Sequence, residues 1–230
     1  MDRKFTLSCC STVDLPYSYM ESRDIPVLFY TYVVDGREYD DDMGRDPEAL
    51  PRFYAFLKEG KLPQTSQINV AAYTEFFEKL LDKGGDVLHI AFTSGQSGSV
   101  HNAFLAAEEL KDRYPGQRLV VIDSLCSSSG YGLLVDYAAD MRDEGKTLDE
   151  VAQWVLDNRN KVHHQFFSSA YHTCRKNFRS CGMRRNGQEK FCWRGSAHFE
   201  RRRRIQNAEA LPDSSGCSFL SVGAGAESET

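Results

Sequence analysis

Through its first two thirds the chain alternates short apolar runs with longer segments whose apolar residues recur every three or four positions, the pattern of strands alternating with helices. Phe5 to Cys9 predicts a short strand, followed by a polar turn and Pro16. Val27 to Val34 is β-branched and aromatic and predicts one well-buried strand. Asp35-Gly36 predicts a hairpin turn from which Arg37-Glu38-Tyr39 returns. Leu50, Phe53, Tyr54 and Leu57 fall at helical spacing, with Gly60 as a stop. A second amphipathic helix, from about Val70 to Lys83, carries Tyr73, Phe76, Phe77, Leu80 and Leu81 on one face.

Asp86 to Phe92 and Leu119 to Asp123 are short apolar runs of the kind found in parallel sheets. Each leads into a Ser/Gly loop, Thr93 to Ser99 and Ser124 to Gly130, and then into a helix, about Val100 to Arg113 and Tyr131 to Arg142. Thr147 to Glu150 is a capping-box pattern opening a further helix through Trp154 to Asp157, and Val162 to Phe167 predicts another strand. Strand, loop, helix repeated in this way implies an α/β fold with a parallel sheet and right-handed crossovers. Ligands of such sheets sit beyond the carboxyl ends of the strands, so both Ser/Gly loops are expected on one rim.

Composition divides the chain near residue 170. Residues 1–170 hold 17 Lys and Arg against 27 Asp and Glu, whereas residues 171–230 hold 11 against 6. After Ala170 the only branched aliphatics are Ile205, Leu211, Leu220 and Val222, too few to build a core, so this tail is expected to be disordered. No stretch approaches the roughly 20 consecutive apolar residues that span a bilayer, and the N-terminus lacks a signal-peptide pattern. Together with seven cysteines in no disulfide framework, this predicts a cytoplasmic protein with reduced thiols and no integral membrane association.

Three polar clusters could carry chemistry: Pro63-Gln64-Thr65-Ser66-Gln67 before a helix, Thr93-Ser94-Gly95-Gln96-Ser97-Gly98-Ser99 between strand and helix, and Asp123-Ser124 at a strand end. Hydroxyls and free N–H groups near helix N-termini suit an anionic head group, and a carboxylate in particular. The plainer alternative is that each serine caps its own helix. A hydrolase elbow would read G-x-S-x-G, but Gly98 follows Ser97 one place early. His89 and His101 flank the loop without an acidic orienter, so a serine-dependent acyl hydrolase is only the alternative reading. Cys9-Cys10 reads as a pair of small buried residues, and Cys174, Cys181, Cys192 and His198 fit no zinc template. The Arg201 to Arg204 run has no aromatic platform beside it, so neither a metal nor nucleic acid is expected.

Ser11-Thr12-Val13-Asp14-Leu15, Thr65-Ser66-Gln67, Thr93 to Ser99 and Val121-Ile122-Asp123-Ser124, in this order, resemble the DegV family of fatty-acid-binding proteins. Any one of these motifs is weak, but four in register with the expected elements between them make a strong signal. The resemblance covers about residues 1–167. It departs at Cys10, where the family commonly has an aspartate, and in reading Thr93 and Ser99 for the more usual Ser and Thr. It implies a two-domain carrier without chemistry of its own and without a cofactor. A long-chain fatty acid such as palmitate would lie between the domains, and a partner fatty-acid kinase would receive its carboxylate. Carried over by residue, Thr65 and Ser94 are the leading head-group contacts, Ser66 and Ser97 come next, and Asp123 and Ser124 shape the rim.

The family's R-I-S-G-P and P-L-L-x-V-D segments are missing from residues 168–230. Codons for Arg175 to Gly187 can, read one base later, encode ERISGPAVCAGT, and those for Ser196 to Gln206 can encode a segment containing PILNVD. Two family-like hits in one frame and in order suggest a frameshift near residue 170. The other readings of this tail are a natural basic extension and a non-functional truncated fragment.

Overall fold

A computed structural model of the chain describes residues 5–167, 190–193 and 218–220. Its centre is a four-stranded parallel sheet in the order β2–β1–β6–β7, formed by β1 (Phe5–Cys10), β2 (Val27–Leu28), β6 (Asp86–Ala91) and β7 (Leu119–Asp123). The alternation of strands with α1 (Tyr17–Ser22), α3 (Val70–Leu81), α4 (Ser99–Lys111), α5 (Ser128–Asp143) and α6 (Leu148–Asn158) is the expected α/β architecture. Leu7, Val87, Leu88 and Ile90 are fully buried, which is why these strands read as continuous apolar runs. Tyr73, Phe77, Leu80 and Leu81 of α3 pack on this core as the helical spacing requires, with Phe76 at the margin. Each such side chain contributes roughly 1.5–3 kcal/mol on burial. Asn69 caps α3 and accepts from the Ala72 N–H, and the Thr147–Glu150 capping box opens α6 as predicted.

The run Val27 to Val34 is not one strand. Tyr30 breaks it: its N–H donates to Ser11 Oγ (3.1 Å) and its carbonyl accepts from the Asp41 N–H (2.8 Å). These bonds take the backbone out of the parallel ladder after the Cys10–Leu28 pairing. Beyond the break, β3 (Thr31–Val34) pairs antiparallel with β4 (Arg37–Asp40) across the predicted Asp35-Gly36 turn, where both residues have positive φ (52° and 77°). A two-residue strand, β5 (Gln64–Thr65), pairs on the other side of β3. Tyr32, Val34 and Phe53 of α2 (Ala49–Lys58) form a small second core under this flap. α1 and β5 lack a legible sequence pattern because one is a turn and a half long and the other is polar. α5 starts three residues before its predicted Tyr131, which shortens the second Ser/Gly loop.

β8 (His164–Phe167) forms a separate antiparallel sheet with β9 (Lys190–Trp193) and β10 (Ser218–Leu220), in the order β10–β8–β9. Neither β9 nor β10 is foreseen by the compositional reading of the tail, although Phe191, Trp193 and Phe219 are residue types that favour strands. The remainder of 168–230, including the shifted-frame segment, lies outside the described residues.

β1 and β6 are paired from Phe5–Asp86 to Ser8–His89 and then part. Beyond that point the Cys10 N–H donates to the Tyr131 hydroxyl (3.0 Å), which in turn donates to the Ile90 carbonyl. Tyr131, fully buried on α5, thus supplies the rung the ladder lacks. Beside it, α5 rides so close to the first turn that a Cβ on Gly132 would stand 2.5 Å from the Val13 carbonyl oxygen. Replacing Tyr131 by Phe keeps the ring and strands one buried donor and one buried acceptor. Urea unfolding should show a loss of about 2–4 kcal/mol. An unchanged midpoint would mean that the strand ends do not depend on this bridge.

Candidate functional site

The sheet order makes β1 the point where connections turn outward in opposite directions, toward β2 on one side and β6 on the other. A crevice at the carboxyl ends of β1 and β6 is where such a sheet presents a ligand site. The segments ending there are the turn Ser11–Val13, Tyr30 after β2, the loop Phe92–Gly98 after β6, and Asp123–Ser127 after β7.

Hydrogen bonds stitch the three predicted clusters together. Asp123 Oδ1 accepts from the Ser94 N–H (3.1 Å) and the Leu125 N–H (3.0 Å), while the Asp123 carbonyl accepts from Arg159 Nη1 (2.8 Å). On the other flank Ser99 Oγ accepts from the Ile68 N–H (3.0 Å), and Asn102 Nδ2 donates to the Ile68 carbonyl (2.7 Å). The Gln67 side chain lies over Gly98, where any Cβ would meet its amide at 2.8 Å. The segment before α3 and the loop after β6 are therefore one surface, and Asp123 anchors the other end of that loop.

The candidate hydroxyls differ in how they are occupied. Those of Thr65 and Ser94 are exposed and make no hydrogen bond among the described residues. Ser66 Oγ sits 3.3 Å from Thr31 Oγ1 on the neighbouring strand. Ser97 Oγ donates to Ser99 Oγ (2.9 Å) and accepts from the Ser99 N–H (3.2 Å), a partial cap on α4. Ser124 is fully buried and braces its own loop, donating to the Cys126 carbonyl and accepting from the Cys126 N–H. The capping alternative thus describes Ser97 in part and leaves Thr65 and Ser94 unused.

Tyr30, Asp41 and Asn102 escape a motif reading, and the motif containing Ser11 does not show what Ser11 binds. Ser11 Oγ donates to Asp41 Oδ2 (2.8 Å) while accepting from Tyr30, which ties the end of β1 to the flap. Asp14, with φ 52°, accepts from the Ser128 hydroxyl and ties the first turn to α5. Long-range pairs of this kind, 19 to 114 positions apart, leave no periodic trace.

His89 is fully buried, with Nδ1 3.0 Å from Ser8 Oγ and Nε2 3.7 Å from Cys10 Sγ. Its nitrogens face these groups and not Ser97. Burial pushes its pKa down to about 3, so it is a neutral core residue packed against Tyr73, Phe76 and Phe77. Burial likewise pushes the Cys10 thiol up to about 11 and raises that of Cys9, which keeps both protonated. Among the described residues no cluster of three or more His, Cys, Asp or Glu is placed to hold a metal ion. No helix among them is long and apolar enough to cross a membrane.

Fold and rim together define an α/β protein with a hydroxyl-lined edge at the carboxyl ends of its parallel strands. The family model "Uncharacterised protein, DegV family" matches residues 9–179, running past residue 167, where the motif resemblance ends. The chain is 39% identical over 165 residues to a DegV domain-containing protein of Clostridium perfringens, covering 71% of this chain and 56% of that one. A DegV domain-containing protein of Lactococcus lactis is 32% identical, with 66% and 53% covered. Among solved structures, a DegV lipid binding protein from Thermotoga maritima superimposes with TM-score 0.67 at 28% identity, over 76% of this chain and 61% of that one. A DegV family protein from Thermus thermophilus, described by its fatty acid binding, gives 0.66 at 25% identity, over 76% and 60%. The chain belongs to the DegV family, and it spans about half the length of the curated relatives it matches.

His89 makes stability depend on pH. Its folded pKa lies below the unfolded value of about 6.5, so the unfolded chain takes up a proton that the folded one refuses. The stability this group confers is complete above pH 6.5 and is lost as pH falls toward 3, at up to about 1.4 kcal/mol per unit. His89→Gln, which cannot titrate, should flatten the slope of unfolding free energy between pH 6.5 and 4.5. Equal slopes for the two proteins would remove His89 as the source.

Proposed function

We propose that the chain binds a long-chain fatty acid, such as palmitate, by its carboxylate on this rim, as a carrier without chemistry of its own. The observation that carries the reading is the pair of free hydroxyls, Thr65 at the end of β5 and Ser94 in the loop after β6, on segments that pairing and hydrogen bonds hold in place. A carboxylate can accept from both without a cationic partner. Ser66 and Ser97 flank them as further donors, and Asp123 and Ser124 hold the loops that carry them. The fatty acid and lipid binding described for similar DegV structures supports the same reading. Presentation of the bound carboxylate to a partner fatty-acid kinase, in the cytoplasm, completes the proposal.

The segment after about residue 170 we read as the product of a shifted frame. Stops closing the alternate frame in the DNA would end that idea. The acyl chain contributes about 0.8 kcal/mol per buried methylene, and only where protein covers it. A frame-restored version should accordingly hold palmitate orders of magnitude more tightly than the chain as it stands.

Native mass spectrometry of protein purified from cells should show an added lipid mass. In palmitate titrations Ser94→Ala should weaken binding by about 1.5–3 kcal/mol, the worth of a hydrogen bond to a charged group. Unchanged affinity in that variant would take Ser94 out of the site, and no palmitate binding by either version would end the carrier reading.

A further inference from the structure

Tyr30 was not a candidate on sequence grounds, yet it stands inside the candidate site with its backbone and ring both held in place. Its backbone is held on both sides, the N–H donating to Ser11 Oγ and the carbonyl accepting from the Asp41 N–H. Its ring meets Phe92 edge-on, with centroids 6.0 Å apart, and the residue is only 7% exposed. The hydroxyl is aimed at the loop after β6, 3.5 Å from Ser97 Oγ. That is well outside the 2.5–3.0 Å of an ordinary O–H···O bond.

A proton count at Ser97 gives this distance a meaning. Ser97 Oγ already accepts from the Ser99 N–H and spends its one proton on Ser99 Oγ. Ser99 Oγ is itself buried and accepts from the Ile68 N–H as well. Tyr30 therefore has a proton with a long acceptor in Ser97 Oγ and a second contact, Ser99 Oγ, whose lone pairs already take the Ile68 N–H and the Ser97 hydroxyl, in a place from which water is largely excluded. A buried donor held this way gains most from an incoming acceptor. Two exposed hydroxyls, Thr65 of β5 and Ser94 of the loop after β6, are open to the same ligand.

We propose that Tyr30 is a further head-group residue, whose hydroxyl leaves Ser97 and donates to the carboxylate of the bound fatty acid. This rests on the carrier reading above. When Tyr30 turns to the ligand, Ser97 keeps the Ser99 N–H as a partner, and the Ser97–Ser99 pair can reverse so that Ser97 also donates outward. One tyrosine thus sets whether the Ser97 proton points into the protein or toward the ligand. Burial raises the Tyr30 pKa well above its ordinary value, so the phenol keeps the proton it has to give. A neutral donor of this kind favours a carboxylate over an uncharged head group, because hydrogen bonds to a charged acceptor are roughly twice as strong.

The test is Tyr30→Phe in the full chain, with palmitate and the uncharged hexadecanol as probes and Ser94→Ala in parallel. The variant loses only a weakly bonded hydroxyl and keeps the ring against Phe92, so its melting temperature without ligand should match that of the parent. Palmitate affinity should fall roughly tenfold or more, and hexadecanol affinity should change far less. If Tyr30→Phe binds palmitate like the parent while Ser94→Ala is impaired, Tyr30 is not a head-group residue and the carrier reading stands. Equal losses for palmitate and hexadecanol would make Tyr30 a wall of the pocket only, which also overturns the proposal. If neither the parent nor its frame-restored version, tested with the same substitutions, binds either probe, the carrier reading fails and this inference fails with it.

Discussion

Two parallel strands that part at their carboxyl ends leave a backbone donor and a backbone acceptor facing each other too far apart to bond. In this protein the pair is the Cys10 N–H and the Ile90 carbonyl, and the Tyr131 hydroxyl stands between them. Most of the site follows from that opening. It lets the loop after β6 turn outward at Phe92, makes room for Tyr30 to pack against Phe92, and places α5 close enough for Gly132 to touch the first turn. A crevice between strands costs buried hydrogen bonds, and here one side chain restores them.

Around the opening, polar side chains do the joining that an apolar core does elsewhere. Ser11 links β1 to the flap, Asp123 links β7 to the loop after β6, and Ser99 with Asn102 links that loop to the segment before α3. Each link satisfies a backbone group that has left regular structure. The hydroxyls not needed for this, on Thr65 and Ser94, are exposed and make no hydrogen bond among the described residues. His89 and Cys10 lie directly beneath, neutral and buried, and supply a floor without charge. The unoccupied hydroxyls of this rim are neutral donors, with the Arg159 guanidinium bound at the Asp123 carbonyl beside them.

Much of the framework is legible from the chain alone. The apolar runs at 86–92 and 119–123 became β6 and β7, the periodic face of α3 went to the core, and the Thr147 box opened α6. The failures have a common cause. Val27 to Val34 has the composition of one strand, but composition carries no record of Ser11 and Asp41 pulling the backbone aside at Tyr30. Likewise His89, adjacent in sequence to a Ser/Gly loop, looks available for chemistry until Ser8 and Cys10 are found against its ring.

By itself the sequence determined the α/β class, the family and the three polar clusters, because periodicity and short motifs are local properties written in consecutive residues. Tertiary structure decided which hydroxyls are free and which are spent. It separated Thr65 and Ser94 from Ser66, Ser97 and Ser124, and it brought Tyr30 to within 3.5 Å of a loop 67 positions away. A hydroxyl's role depends on what stands within about 3 Å of it, and in a crossed parallel sheet those neighbours come from distant parts of the chain.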